Sequence, residues 1–352
     1  MKAKIALAMS GGVDSSVAAY ILKEHGFDLI GVTMVVSPTD SLTENPTIED
    51  ARRTCDALDI PHHTVDLRQE FQKEIIDYFA GEYFKGRTPN PCVMCNPTIK
   101  FGKLFEFANA HNCNKFATGH YARIELNHTT NKYELKTGLD KTKDQGYVLY
   151  RLTQNHLKNI FFPLGKMTKN EVKKIAGNLD YIPAGREESQ EICFIEDDNY
   201  IRFLQEEYDY RPVPGPIIHI NGEILGTHKG VIYYTIGQRR RLGIAHPKPL
   251  YVIKILPDTN TLVVGYNEDL MKTEVTVSKI NWISGNFPNA NKVFCKIRYR
   301  HKVSKAIIEE TENGVTVVFR DHQRAITPGQ SAVFYSYPDA EKILGGGIIT
   351  RI

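Results

Sequence analysis

Lys4–Ser16 reads KIALAMSGGVDSS. Lys4–Met9 is a short apolar run of the kind that forms a buried strand. Ser15–His25 then places Val17, Ala18, Ile21 and Leu22 at helical spacing. Between strand and helix stand two glycines, which let the backbone turn sharply and approach an anion closely. The first N–H groups of the helix point at the same place, and Ser10, Ser15 and Ser16 add hydroxyls. Such a turn is a cradle for pyrophosphate. It is not a Walker A loop, because no lysine follows the glycines. Asp14 suits a Mg²⁺ ion beside the phosphates. A bare double glycine would be read as an ordinary tight turn; the whole string favours phosphate.

Outward from this turn, strand and helix patterns alternate. Strands are expected at Leu29–Val36, His63–Asp66 and Lys115–Gly119, and helices at Glu49–Leu58, Gln69–Phe84 and Lys100–Asn112. That alternation predicts a doubly wound parallel sheet, an α/β fold with its ligand at the carboxyl ends of the strands. Residues 163–205 read as helical with a break at Pro183–Ser189. Tyr210–Pro216 holds three prolines and a glycine, a good boundary. Beyond it, short alternating strands with turns predict β structure, with a seam near Asp269–Val275. The expected units are 1–209 (nucleotide-binding), 210–273 (a small β-rich connector) and 274–352 (a β-barrel).

The 352 residues allow two or three such units. Charge is nearly balanced at +3, so any nucleic-acid surface must be a local patch. No apolar run is long enough for a membrane helix, and the N-terminal apolar stretch runs straight into the glycine turn, so it reads as a strand and not a signal peptide. Six cysteines, two of them in a C-x-x-C, suit a reducing compartment, and the expected location is the cytoplasm.

Thr88–Asn96 reads TPNPCVMCN. Its two prolines predict a rigid extended approach, with Cys95 just ahead of a helix starting near Lys100. Helix N–H dipoles and Lys100 would then lower the thiol pKa. A third cysteine, Cys193, lies in ESQEICFI. Cys92, Cys95 and Cys193 are candidates to converge on one site. Two thiol chemistries fit: a persulfide on Cys193 released with help from Cys95, or a [4Fe–4S] cluster ligated by all three. Zinc lacks an evident fourth ligand.

The SGGVDSS string resembles the loop of the pyrophosphate-loop ATPases, which cleave ATP between its α and β phosphates. The further motifs narrow this. PNP-x-x-x-CN, then Gly119-His120-Tyr121-Ala122-Arg123, Lys143-Asp144-Gln145, Tyr234-Thr235-Ile236-Gly237-Gln238-Arg239, a distant Q-x-I-C-F and Pro328-Gly329-Gln330 together resemble the tRNA-specific 2-thiouridylase family across nearly the whole chain. The resemblance implies that ATP adenylates the C2 oxygen of a wobble uridine, and AMP leaves as sulfur enters. It implies Cys95 as nucleophile and Cys193 as persulfide carrier. ATP contacts would fall on Ala8, Met9, Ser10, Gly11, Gly12, Val13, Asp14, Ser15, Met34 and Gly119. Target-base contacts would fall on Asn90, Pro91 and the next residue. Further tRNA contacts would fall on His120, Lys143, Asp144, Gln145, Arg298, Tyr299 and Gln330. The implied partners are the anticodon region of tRNA and a sulfur donor, either a cysteine desulfurase or a sulfur-relay protein. The chain departs from the family's usual pattern at Cys92, where an aspartate is usual, and that puts the aspartate's acid–base role in doubt.

Two runs mix cations with aromatics, Lys229–Arg241 and Lys296–Lys302, a composition suited to RNA. Lys166, Lys169 and Lys173 could extend that surface or simply form a solvated helix face. Two rivals stand against the thiouridylase reading. A pyrophosphate-loop synthetase acting on a small molecule would not need the three thiols. A non-catalytic RNA-binding protein would not need the intact loop.

Overall fold

The computed structural model describes residues 3–37, 41–42, 45–182, 192–195 and 197–351. Lys4–Ala8 forms the middle strand of a five-stranded parallel sheet. Its order across the sheet is His62–Asp66, Asp28–Val35, Lys4–Ala8, Lys115–Ala117, Ile160–Phe161. The chain adds strands on one side of Lys4–Ala8 first and on the other side afterwards. The order therefore reverses between Lys4–Ala8 and Lys115–Ala117, which opens a crevice at their carboxyl ends. Ile5, Ala6 and Leu7 are almost wholly buried, as expected of a strand covered on both faces.

The helical stretches run longer than the sequence pattern suggested. Helix Pro46–Ala57 starts earlier because Asn45 caps it, accepting the Thr47 N–H at 2.8 Å, with proline in the first turn. The expected break in the region Pro183–Ser189 lies outside the described residues. Helices Lys169–Ala176 and Tyr200–Tyr208 flank it.

A four-stranded sheet follows, in the order Tyr251–Leu256, Thr261–Gly265, Gly215–His219, Ile224–His228. The last sheet is a closed antiparallel barrel. Strand Met271–Trp282 begins inside the stretch read as a seam, and it closes the barrel by pairing with both Gly314–Arg324 and Lys342–Arg351. Met271–Trp282 and Lys342–Arg351 were absent from the sequence reading, because lysines and a triple glycine interrupt their alternation.

A second difference matters more. Residues 122–137 form a hairpin, Ala122–Asn127 with Lys132–Thr137, and it extends the barrel sheet through Ile343↔Leu135 and Lys342↔Lys136. Buried bonds strengthen this join. The Tyr147 hydroxyl donates to the Ser331 carbonyl at 2.9 Å, and Asn281 Nδ2 donates to the Tyr150 carbonyl at 2.7 Å. Arg123 pairs with Glu341 across the same seam. The barrel is thus anchored to the parallel-sheet unit, not tethered to it.

Candidate active site

The Ser10–Ser15 turn sits in the crevice. Gly11 takes φ +66°, a left-handed conformation open to glycine. Gly12 is the N-cap of helix Val13–Glu24 and offers no side-chain cap, so the first N–H groups of the helix face outward. The turn is braced from within. Ser15 Oγ accepts the Ser10 N–H at 3.2 Å and donates to the Gly12 carbonyl at 2.9 Å, and Ser16 Oγ donates to the same carbonyl at 3.1 Å. Gly119 packs against the turn: a Cβ there would lie 3.0 Å from the Asp14 carbonyl carbon and 3.2 Å from the Ser15 nitrogen. Ala8 ends the central strand and Met9 follows it, and Met34 lies near the end of the neighbouring strand.

Asp14 faces a protein cation and a hydroxyl. Lys169 Nζ lies 2.7 Å and 2.9 Å from its two carboxylate oxygens, and the Tyr121 hydroxyl donates to it at 2.8 Å. Both oxygens are occupied, so the arrangement does not fit a Mg²⁺ ion held by Asp14. Lys169 is only 5% exposed, so it leaves the solvated lysine face, on which Lys166 and Lys173 remain exposed. The helix N-terminus turns it inward: Thr168 and Glu171 form a capping box, and Asp140 accepts the Lys169 N–H at 3.0 Å. Sequence spacing could not show this, because the partner is 155 residues away.

The cysteine segment is helical, not extended. Pro91 occupies the first turn of helix Pro91–Cys95, and Asn90 Oδ1 caps it by accepting the Cys92 N–H at 3.1 Å. A π-helical stretch, Asn96–Lys103, continues straight into helix Leu104–Ala110. Its i→i+5 bonding stacks Lys100 about one turn above Cys95. Cys95 is therefore buried within a helix, at 7% exposure, whereas Cys92 and Cys193 are exposed. Burial pushes the Cys95 thiol up to about 12; the Lys100 charge opposes this, and charge on Cys193 or Cys92 would add to it. This overturns the expected lowering, because desolvation outweighs the one nearby cation. It also shows the three thiols in one electrostatic neighbourhood.

Cys193 is held there by its neighbour. Phe194 packs edge-on to Phe71 and Phe79 at 5.6 Å and 5.4 Å, and it also meets Phe203. Ile195 is buried as well. Among the described residues, no three His, Cys, Asp or Glu side chains are grouped to hold a metal.

The barrel reaches this neighbourhood too. The Tyr299 hydroxyl donates to the Asp144 carbonyl at 3.3 Å, and its ring lies within electrostatic range of Cys92. The Arg298 guanidinium donates to the Arg324 carbonyl at 3.1 Å, and burial with the neighbouring Arg324 charge lowers its pKa. Gln330 Nε2 donates to the Thr88 carbonyl at 2.7 Å, while the Thr88 N–H donates to the Pro328 carbonyl at 2.9 Å. Pro328-Gly329-Gln330 therefore clamps the lead into Asn90 and Pro91.

Several implied tRNA contacts are placed as structural supports. Gln145 Oε1 accepts the Tyr121 N–H at 2.9 Å. Asp144 Oδ1 accepts the Gly138 and Gly146 N–H groups at 2.9 Å and 3.1 Å, and burial raises its pKa against those bonds. His120 is buried between Phe101 and Phe162, with its Nδ1 2.7 Å from Thr118 Oγ1; burial and the Lys100 charge hold it neutral. Lys143 is half-buried on the turn before Asp144. Tyr234, an aromatic of the run Lys229–Arg241 beside its arginines, is 4% exposed and belongs to the core of the central unit. The basic run Lys296–Lys302 lies largely beyond a strand, because strand Lys292–Lys296 ends where it begins.

Cys95 should resist alkylation. In the native enzyme at neutral pH, Cys92 and Cys193 should react with iodoacetamide at least about tenfold faster than Cys95. The Cys95 rate should climb with each pH unit up to about pH 9, because a thiol titrating near 12 gains thiolate over that whole range. Peptide mass spectrometry reads all three at once. A plateau in the Cys95 rate below pH 8 would show that its thiol is not the buried group described here.

Comparison with known proteins agrees with this layout. Residues 3–197 match a tRNA methyl transferase HUP domain, residues 201–266 a tRNA methyl transferase PRC-barrel domain, and residues 272–349 an aminomethyltransferase β-barrel domain. A tRNA-specific 2-thiouridylase of Thermoanaerobacter sp. (strain X514) is 47% identical over 99% of this chain and 98% of that one. One of Clostridioides difficile (strain 630) is 43% identical over 100% of this chain and 99% of that one. A 4-thiouridine synthetase solved with RNA and bound ATP superposes on 58% of this chain and 50% of that one, with 18% identity and a TM-score of 0.37. Likeness at this level, carried from end to end of the relatives, means that the chain belongs to the tRNA-specific 2-thiouridylase family.

Proposed function

We propose that this chain makes 2-thiouridine in tRNA, adenylating the C2 oxygen of the wobble uridine with ATP and replacing it with sulfur. One observation carries the reading: a pyrophosphate turn and three neighbouring thiols lie in a single unit that the barrel reaches through Tyr299 and Gln330. A small-molecule synthetase has no use for that convergence.

The chemistry follows from the groups present. The Ser10–Ser15 turn takes the leaving pyrophosphate on outward N–H groups. Lys169 keeps Asp14 neutralised, so that its charge does not oppose the phosphates. Adenylation turns a poor oxygen leaving group into AMP. The base must leave its stack to reach the thiols. Exposed Cys193 carries the incoming sulfur as a persulfide, whose terminal sulfur attacks C2 as AMP departs. A neighbouring thiol then attacks the Cys193 sulfur, freeing 2-thiouridine and leaving a disulfide for an external dithiol to reduce. Cys95 takes that role, with Lys100 favouring its thiolate once the site opens; Cys92 stands where the family's usual aspartate would be. The sulfur source is a cysteine desulfurase or a relay protein. Among the described residues no helix is long and apolar enough to cross a membrane, and we place the enzyme in the cytoplasm with its tRNA and ATP.

The test is nucleoside mass spectrometry of unmodified tRNA. The tRNA is treated anaerobically with ATP, Mg²⁺, a sulfur source and enzyme in iron-free and iron-reconstituted forms. Equal 2-thiouridine in both forms supports the thiol route. Product only with iron would replace it by a [4Fe–4S] cluster on Cys92, Cys95 and Cys193. No product from any tRNA, with desulfurase and cysteine present, would remove the function itself.

A further inference from the structure

The central unit holds a cavity of about 240 Å³ away from the ATP crevice, lined by Arg239, Arg241, His246 and Lys248 over a floor that includes Leu242 and Leu250. No carboxylate lines it, and among the described residues none of these cations is in an ion pair. Arg239, Arg241 and Lys248 are exposed. The loop is shaped to bring them together. Arg241 and Gly243 take φ +65° and +73°, a double reversal that folds the run back on itself. His246 Nδ1 is engaged by the backbone of Lys248, at 3.0 Å and 3.2 Å, which leaves its other ring nitrogen for a ligand. Behind it, His219 is stacked at 6.3 Å between ring centres. His219 is 7% exposed, and its buried Nε2 has no hydrogen-bond partner.

Like charges held together without a counter-charge repel one another, and an anion relieves that repulsion. We infer that this cavity is a phosphate seat for the RNA substrate: it takes a backbone phosphodiester of the tRNA, away from the adenylation site. Two features favour an RNA chain over a free anion. The cations lie along an exposed loop, suiting consecutive phosphates. The substrate reaches well beyond the base being modified. The inference rests on the proposed tRNA function.

The experiment uses the full chain and a tRNA transcript, comparing wild type with the triple variant R239A/R241A/K248A and with R239K/R241K, which keeps the charge. Exposed positions should leave melting temperature and kcat unchanged. In the triple variant, tRNA affinity at moderate salt should fall about tenfold or more. The slope of log K against log salt should shrink by about one for each phosphate lost, and KM for tRNA should rise. The lysine variant should keep most of the affinity. Unchanged salt slope and KM would overturn the inference while leaving the thiouridylase reading intact. Unchanged tRNA binding, with loss of thiolation only when a desulfurase supplies the sulfur, would assign the cavity to an acidic protein instead. Failure of the wild type to bind tRNA would remove both readings.

Discussion

Cys193→Ser should abolish 2-thiouridine formation, by about a thousandfold or more, while tRNA-dependent pyrophosphate release continues. Serine matches cysteine in size and cannot carry a persulfide. Phe194 and Ile195 anchor the segment by burial, so its placement does not depend on the Cys193 side chain. Adenylation is assigned above to the Ser10–Ser15 turn, on a different element. The two readouts should therefore separate: adenylation retained, sulfur transfer lost. Cys92→Ser, at an exposed position on the first helical turn, should lose less. Nucleoside mass spectrometry and a pyrophosphate assay on the same reaction make the comparison. Thiolation surviving in the Cys193 variant would sink the persulfide route.

Gly119→Ala should lower kcat/KM for ATP by about 10- to 100-fold with little change in fold. The added methyl would meet backbone at 3.0–3.2 Å, at the Asp14 carbonyl and the Ser15 nitrogen. Backbone in a braced turn cannot move aside as a flexible side chain does. The displacement must fall on the N–H groups at the head of helix Val13–Glu24, the groups proposed to take the phosphates. Gly81→Ala is the control: its Cβ meets nothing within 4 Å, it lies in helix Asp77–Phe84, and alanine suits a helix better than glycine. It should leave kcat/KM unchanged. Equal ATP kinetics for both variants would show that Gly119 does not set the turn.

Much of this site was legible because its signals are local. Strand, double glycine and helix in Lys4–Glu24 need no distant partner to be recognised, and they form the expected strand–turn–helix by themselves. The strands Thr261–Gly265 and Ser331–Tyr335 fall in the stretch whose alternation and turn residues predict short strands. The Thr88–Asn96 segment misled for a local reason too. Proline at the first helical position and asparagine at the cap start a helix as readily as they stiffen an extended approach.

The sequence alone determined the α/β class, the pyrophosphate turn and the three thiols as candidates, since periodicity, glycine stereochemistry and thiol chemistry are properties of short segments. Tertiary structure alone decided which thiol is buried, that Lys169 faces Asp14, and that Gln330 grips Thr88 from 242 residues away. It also decided that a hairpin of the first unit extends the barrel sheet. Desolvation and long-range pairing depend on which segments pack together, and that is a property of the whole fold.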